Sequence, residues 1–301
     1  MSYSWWNTIP QRLDPTAFTI FDFPVRWYGL MYLIAFFFGY HLIWHFTTKY
    51  KIQPMKKEQL ESVMTWLIAG VLFGARFGYV FFYNFGYYIN NLSEIILPFS
   101  FAGGFHFTGI SGMSYHGGLI GSFLATSYAI KKQKLDYWKS VNTIFLVVPL
   151  VYTFGRLGNF INGELYGRVT ESAIGMKFGN QAVLRHPSQL YEMCFEGFIL
   201  FGILYALWRL FPKLKDHVMA LYLIGYGTAR FFIEFFRQPD AHLCQPHMDL
   251  CVNALGMSRG QMLCLAMILS GGALWAVRAY TLSKASSGPK RNKMSPSQNS
   301  Y

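Results

Sequence analysis

Apolar residues recur along the chain in runs of about 20, and polar residues collect in the gaps between them. That length is what a helix needs to cross the hydrocarbon of a bilayer. The runs fall at about 27–46, 62–85, 116–130, 140–154, 189–210, 217–236 and 260–280. They predict an all-α polytopic membrane protein with about seven transmembrane helices. Three segments break the pattern. Residues 84–115 are rich in Gly, Phe and Asn, hold no long apolar run and no basic residue, and read as an external arm along the interface. Residues 163–187 are too polar to span and read as a small external head. Residues 283–301 are rich in Ser, Pro, Lys and Asn and read as a disordered tail. The expected organisation is one membrane-embedded domain, 1–282, that includes arm and head, followed by the tail. No internal repeat of the transporter kind is visible.

Composition supports this division and charge orients it. The chain is 53% hydrophobic and 19% aromatic, with 13% charged residues against roughly 25% in a typical soluble protein. The net charge of +12 comes from short loops and the tail rather than a continuous patch, so it does not indicate nucleic acid. Basic clusters follow spans one (Lys49, Lys51, Lys56, Lys57), three (Lys131, Lys132, Lys134) and five (Arg209, Lys213, Lys215), and the tail follows span seven. Less basic segments follow the even spans. This alternation predicts the N-terminus outside and the C-terminus inside, with arm and head on the outer face. Residues 1–24 lack a basic segment leading directly into an apolar core, so no cleavable signal peptide is expected. The four cysteines have no metal-ligand spacing. Cys244 and Cys251 share one external loop and suit either a disulfide or two free thiols.

The chemistry concentrates at the mouths of the outer spans. Gly155-Arg-Leu-Gly-Asn-Phe-Ile-Asn-Gly-Glu-Leu-Tyr-Gly-Arg168 packs Arg156, Asn159, Asn162, Glu164 and Arg168 between four glycines at the end of span four. Arg156, Asn159 and Asn162 are spaced by three, which a helix places on neighbouring positions of one face. Polar side chains at the mouth of an apolar span are costly and suggest a site. Span six carries Tyr226, Arg230, Glu234 and Arg237, spaced four, four and three, as one stripe. Glu234 either belongs to a site or simply neutralises Arg230 at the i, i+4 spacing. With Arg156, the stripe predicts an excess of positive charge that favours an anionic lipid head group. His116, beside Gly117 and Gly118, is either a hydrogen-bonded interface residue or a general base or phosphate-oxygen donor. Tyr28 can line the site, whereas Trp27 reads as an interface anchor. Arg76, inside span two, needs a partner or a polar cavity. Gln189 and Glu192, three apart at the start of span five, are candidates to support the site. The chain holds no nucleophile elbow, zinc-binding His-Glu-x-x-His helix or P-loop, and no cysteine lies in a site motif.

The long motif 155–168 closely resembles the signature of bacterial prolipoprotein diacylglyceryl transferases. Tyr115-His-Gly-Gly118, His186-Pro-Ser-Gln-Leu-Tyr-Glu192 and Tyr226–Asp240 support the resemblance, in the same order, and it extends to about Tyr280. It implies a multi-pass enzyme of the bacterial cytoplasmic membrane with an outward-facing site. Such an enzyme moves the diacylglyceryl group of phosphatidylglycerol to the lipobox cysteine of a prolipoprotein, forming a thioether and releasing glycerol phosphate. The resemblance implies catalytic roles for His116, Arg156, Arg230 and Glu164. It implies substrate binding by Arg156, Asn159, Asn162, Tyr28, Tyr226, Glu234, Arg237 and Gly167. His116 and Glu164 compete for the role of general base. Metal and organic cofactors are not required, and the partners are phosphatidylglycerol and the prolipoprotein signal peptide. An anionic lipid transporter is the competing class; it predicts polar residues continuing to the inner face and repeat symmetry.

Overall fold

The computed structural model describes residues 4–21, 23–97, 99–100, 106–107, 112–238 and 256–287. Five helices among them are long and apolar enough to cross a membrane: Trp27–Lys49, Lys57–Phe82, Tyr137–Ile161, Ser188–Leu210 and Arg259–Ser286. They stand where spans one, two, four, five and seven were expected. Spans three and six are also helical, as Tyr115–Lys132 and Val218–Ile233, but they do not meet the same measure. At ~1.5 Å per residue, their 18 and 16 residues reach less than the full hydrocarbon thickness. The chain is thus a helical, multi-pass membrane protein, with only minor strand pairing among the described residues. It divides into two compact units, Tyr28–Gly155 and Met1–Trp27 with Arg156–Tyr301.

The unit 28–155 contains α1 (Trp27–Lys49, from Tyr28 on), α2 (Lys57–Phe82), the short α3 (Phe85–Tyr88), α4 (Tyr115–Lys132) and most of α5 (Tyr137–Ile161). Its tightest contact is made by small residues. Gly70, Gly74 and Gly78 of α2 meet Gly117 and Gly121 of α4 backbone to backbone. A Cβ on Gly74 would collide with the carbonyl oxygen of Gly117, and one on Gly117 with that of Gly74. In lipid no water drives apolar surfaces together, so this close approach of backbones supplies the packing. Ser114 caps α4, its Oγ accepting from Gly117 N at 3.2 Å, and its own N–H donates to Ala75 O at 2.9 Å. Gly74→Val should therefore sharply reduce folded protein. Gly86→Ala, which faces open space, should hold thermal stability within about 0.5 kcal/mol of the wild type, read by unfolding in detergent.

Arg76 has the partners that its place inside α2 requires. Its guanidinium donates to Ile95 O (2.8 Å), Glu94 O (2.5 Å) and Gly112 O (3.3 Å), and lies over the Tyr88 ring at 4.9 Å. It ties the described part of the arm to a membrane helix. That part consists of α3, a 3-10 turn (Leu92–Ile95) and a two-residue antiparallel pairing of β3 (Phe99–Ser100) with β4 (His106–Phe107).

The second unit takes in two N-terminal 3-10 turns (Trp6–Thr8 and Pro10–Arg12) and an antiparallel hairpin, β1 (Thr16–Ile20) and β2 (Phe23–Arg26), and takes up again at the last turns of α5. The head follows, built on a small core of Phe160, Met176 and Phe178 with Tyr166 and Leu190 against it. The N-terminal turns are part of this head. Asn7 donates to Gly175 O (2.7 Å) and Ala173 O (3.2 Å), and Trp6 donates to Ile174 O. One continuous helical rod then runs through α6 (Ser188–Glu192), a π-helical turn (Met193–Ile199) and α7 (Leu200–Leu210). It is followed by α8 (Val218–Ile233) and α9 (Arg259–Ser287), which meet at Gly227 and Gly271. Helix α9 continues past the tail boundary expected at 283. Cys244 and Cys251, and residues 288–301, lie outside the described residues.

Candidate active site

The centre of the second unit is a cluster of ion pairs between α5, the rod and the end of α8. Glu192 closes α6 and is wholly buried. Its Oε2 lies 3.0 Å from Arg156 Nε, and its Oε1 pairs with Arg230 Nη1 and stands 3.7 Å from Arg237 Nε. Glu196, in the π turn and equally buried, lies 3.6 Å from Arg230 Nη1. The i→i+5 bonding of a π turn widens the helix locally, and such turns concentrate at functional sites. Here it presents Glu192 and Glu196 together to Arg230. Glu234 completes the set at 3.6 Å from Arg230 Nε, so the i, i+4 pairing that was one of its two sequence readings is present.

Glu234 is itself held by the start of α9. Ser258 Oγ donates to Glu234 Oε1 at 3.3 Å, and Ser258 and Gln261 cap each other at 2.9 and 3.1 Å. A Cβ on Gly260 would collide with the Glu234 carboxylate, so glycine permits the approach. The positive end of the α9 dipole faces that carboxylate.

A second chain of contacts leads from the cluster to a more open position. Arg156 Nη1 donates to Asn159 Oδ1 (3.3 Å), and Asn159 Nδ2 donates to Glu164 Oε1 (2.9 Å). Because arginine only donates, this contact fixes which way the Asn159 amide faces. Asn162 Nδ2 also approaches Glu164 Oε1 (3.4 Å), and Gln189 Nε2 donates to Glu164 O (2.6 Å). The helix α5 ends at Ile161, just before Asn162, so the spacing of three held for Arg156 and Asn159 within the helix. Glu164 is exposed, whereas Asn159 is buried.

Gly167 serves as a joint. Its N–H donates to His186 O (2.8 Å), Arg168 N donates to Phe236 O (2.9 Å), and Arg168 Nε donates to Arg237 O (3.0 Å). Any Cβ on Gly167 would strike Phe236 O and lie 2.7 Å from His186 Cβ. Tyr226, one turn before Arg230, stacks on Tyr222 with ring centroids 5.7 Å apart. Two candidates belong to the other unit. Tyr28 shares a 3.0 Å hydroxyl contact with Tyr32, and His116 is exposed, its ring edge-on to Tyr115.

The expected excess of positive charge is absent from the cluster. Among the described residues its ion pairs join three arginines (156, 230, 237) to three glutamates (192, 196, 234), and the formal charges cancel. Counting Arg156 with span six alone overlooked the carboxylates that span five brings in. Glu196 was missed outright. Its signal was a second carboxylate, four residues after Glu192, inside an apolar span, which is itself grounds for suspicion. Ser258, Gly260 and Gln261 left no such signal, since a serine and a glycine before a helix are ordinary.

His186 sits at the base of the head, outside the spans, with Nδ1 3.1 Å from Tyr191 OH and its ring edge against Phe236. Burial lowers its pKa below the usual histidine value. The folded state thus binds fewer protons than the unfolded chain, and the stability this contributes is full above about pH 6.5 and falls as pH drops below it. In His186→Gln, the loss of thermal stability between pH 7.5 and pH 5 should be smaller than in the wild type.

Fold and cluster together define a membrane-embedded protein with a buried arginine–carboxylate centre. The family model for prolipoprotein diacylglyceryl transferase matches residues 15–277. The chain is 46% identical over 275 residues to the phosphatidylglycerol–prolipoprotein diacylglyceryl transferase of Chlorobaculum tepidum, covering 89% of this chain and 91% of that one. It is 40% identical over 276 residues to the protein of the same name from Wolinella succinogenes, covering 91% and 96%. The chain belongs to the prolipoprotein diacylglyceryl transferase family. This membership does not favour the lipid-transporter alternative.

Proposed function

We propose that this protein transfers the diacylglyceryl group of phosphatidylglycerol to the lipobox cysteine of prolipoproteins. The observation that carries the reading is the convergence of Arg156 and Arg230 on one buried centre, within a chain of this family. The reaction forms a sulfur–carbon bond and breaks the bond between the glycerol carbon and the phosphate oxygen. The thiol proton passes to a base, and glycerol phosphate leaves with the bonding electrons. The protein must hold a phosphodiester, raise the thiolate fraction and stabilise charge on the leaving oxygen.

Arg156 and Arg230 act as the phosphate clamp, since each guanidinium stays charged and can bind two oxygens. Asn159 and Asn162 bind the glycerol head group, Tyr226 and, in the other unit, Tyr28 contribute to substrate binding, and Glu234 and Arg237 orient Arg230 and the entrance. Gly167 shapes the binding surface by joining the motif to the end of α8. His116 takes the thiol proton, with Glu164 as its competitor. The buried Asn159 contact ties Glu164 to Arg156, which supports an orienting role for Glu164 beside the clamp.

The family and the membrane helices support a place in the bacterial cytoplasmic membrane, and the alternation of basic loops supports N-terminus out, C-terminus in and the site on the outer side. The membrane-embedded domain takes in residues 1–282, with arm 84–115 and head 163–187 on the outer face and the remaining tail in the cytoplasm. The test is an incubation of purified protein in detergent with a single-cysteine lipobox peptide and either phosphatidylglycerol or phosphatidylethanolamine. A diacylglyceryl mass gain with the first lipid alone supports the reading. A gain with both lipids, or with neither, counts against it.

A further inference from the structure

A clamp built for anions should carry net positive charge, yet this one is balanced by three carboxylates, two of them wholly buried. Burying a carboxylate costs several kcal/mol before any partner repays it. Two more charges than Arg230 needs for a pair are therefore an expensive way merely to hold the fold. The π turn is a further local departure from regular helix, and Glu196 lies inside it.

The proposed reaction supplies a reason. The substrate carries a phosphodiester with one negative charge. The product carries a phosphate monoester, which holds between one and two at neutral pH. In a desolvated site, three unbalanced arginines would bind the more highly charged product more tightly than the substrate. Binding energy spent on product slows turnover rather than speeding it, because only interactions favouring the transition state raise the rate. Carboxylates set against the arginines weaken the hold on both anions, and most on the one with greater charge.

We infer that Glu196 is a positioning residue that sets the charge of the clamp. It pairs with Arg230 and keeps the cluster neutral, so that glycerol phosphate is released. The inference deepens the transfer reading and depends on it. Glu196 touches no reacting atom in this account; it acts through Arg230, with Glu192 and Glu234 as the neighbouring carboxylates on the same guanidinium.

The experiment measures equilibrium binding of sn-glycerol 1-phosphate by calorimetry, along with kcat and KM for phosphatidylglycerol. It uses the full chain and the variants Glu196→Gln, Glu196→Asp and Glu234→Gln. Thermal unfolding checks that each variant is folded. Glu196→Gln should bind glycerol phosphate on the order of tenfold tighter and lower kcat by a similar factor, with KM falling alongside. Glu196→Asp keeps the charge and should bind within about twofold of the wild type. Glu234→Gln removes the same unit of charge from the opposite side of Arg230 and should also tighten binding, which keeps the test decisive if Glu196→Gln does not fold. Unchanged or weaker glycerol phosphate binding in the folded glutamine variants would overturn the inference. A role confined to folding would lower the unfolding temperature and leave the affinity unmoved. Transfer by the wild-type protein is read in the same preparation. Its absence would sink the transfer reading itself, whereas transfer without tightening would sink only the role of Glu196.

Discussion

Arg156→Ala should abolish detectable transfer while leaving the protein folded. The guanidinium joins two networks, pairing through Nε with buried Glu192 and through Nη1 with Asn159. Its loss removes one half of the phosphate clamp and frees the amide that fixes Glu164. Removing one preorganised donor to developing charge typically costs about 10²- to 10³-fold in rate, and a guanidinium contributes more than one donor. The fold survives because Glu192 keeps Arg230 and Arg237 as partners. Arg156→Lys should restore little, since an ammonium cannot span carboxylate and phosphate as a planar fork does. Thioether formation per mole of folded protein is the measurement, and near-normal turnover by Arg156→Ala would remove the clamp from the account.

Glu192→Ala should have the largest effect on stability. This carboxylate forms ion pairs with Arg156 and Arg230, lies near Arg237, and has no exposure to solvent. Removing one partner from a buried ionic network costs about 3–5 kcal/mol, because the remaining charges stay buried without compensation. Here three arginines would be left with an excess of positive charge. Thermal unfolding in detergent should show a drop on the order of 10 °C. Glu192→Gln keeps the shape and an acceptor oxygen, so its loss should be smaller. A Glu192→Ala variant that unfolds within about 2 °C of the wild type would show that the network does not hold this unit together.

The membrane architecture could be read from the sequence because each span reports itself locally, by length and apolarity. The starts of α1 at Trp27 and of the rod at Ser188 lie within a residue of their expected positions. The two shorter helices show where this reading weakens. Helix α4 opens on His116 and paired glycines, and α8 ends where Glu234 turns into the cluster, so both dilute their apolar runs with polar or packing residues. Arg76 announced its need for partners but could not name them, since they are backbone carbonyls 18 to 36 residues further on.

The site was legible as a set of motifs and illegible as a charge balance. Arg156 and Asn159 share a helix face because both lie within α5, a local property. The pairing of Arg156 with Glu192, by contrast, joins residues far apart in sequence, and spacing carries no such information. Glu196 appeared as one acidic residue in a long apolar run, with nothing to show that a π turn would place it beside Glu192. The head was less accessible still. Its N-terminal seal depends on Asn7 reaching Gly175, a contact across 168 residues.

The most direct measurement follows both halves of the lipid in one reaction. Phosphatidylglycerol labelled separately in its diacylglyceryl and head-group portions is incubated with the purified protein and a single-cysteine lipobox peptide. The diacylglyceryl label should appear on the peptide and the head-group label in glycerol phosphate, in equal amounts. Head-group release without peptide labelling would indicate hydrolysis. That result, or labelled peptide that retains the phosphate, would contradict transfer to the thiol.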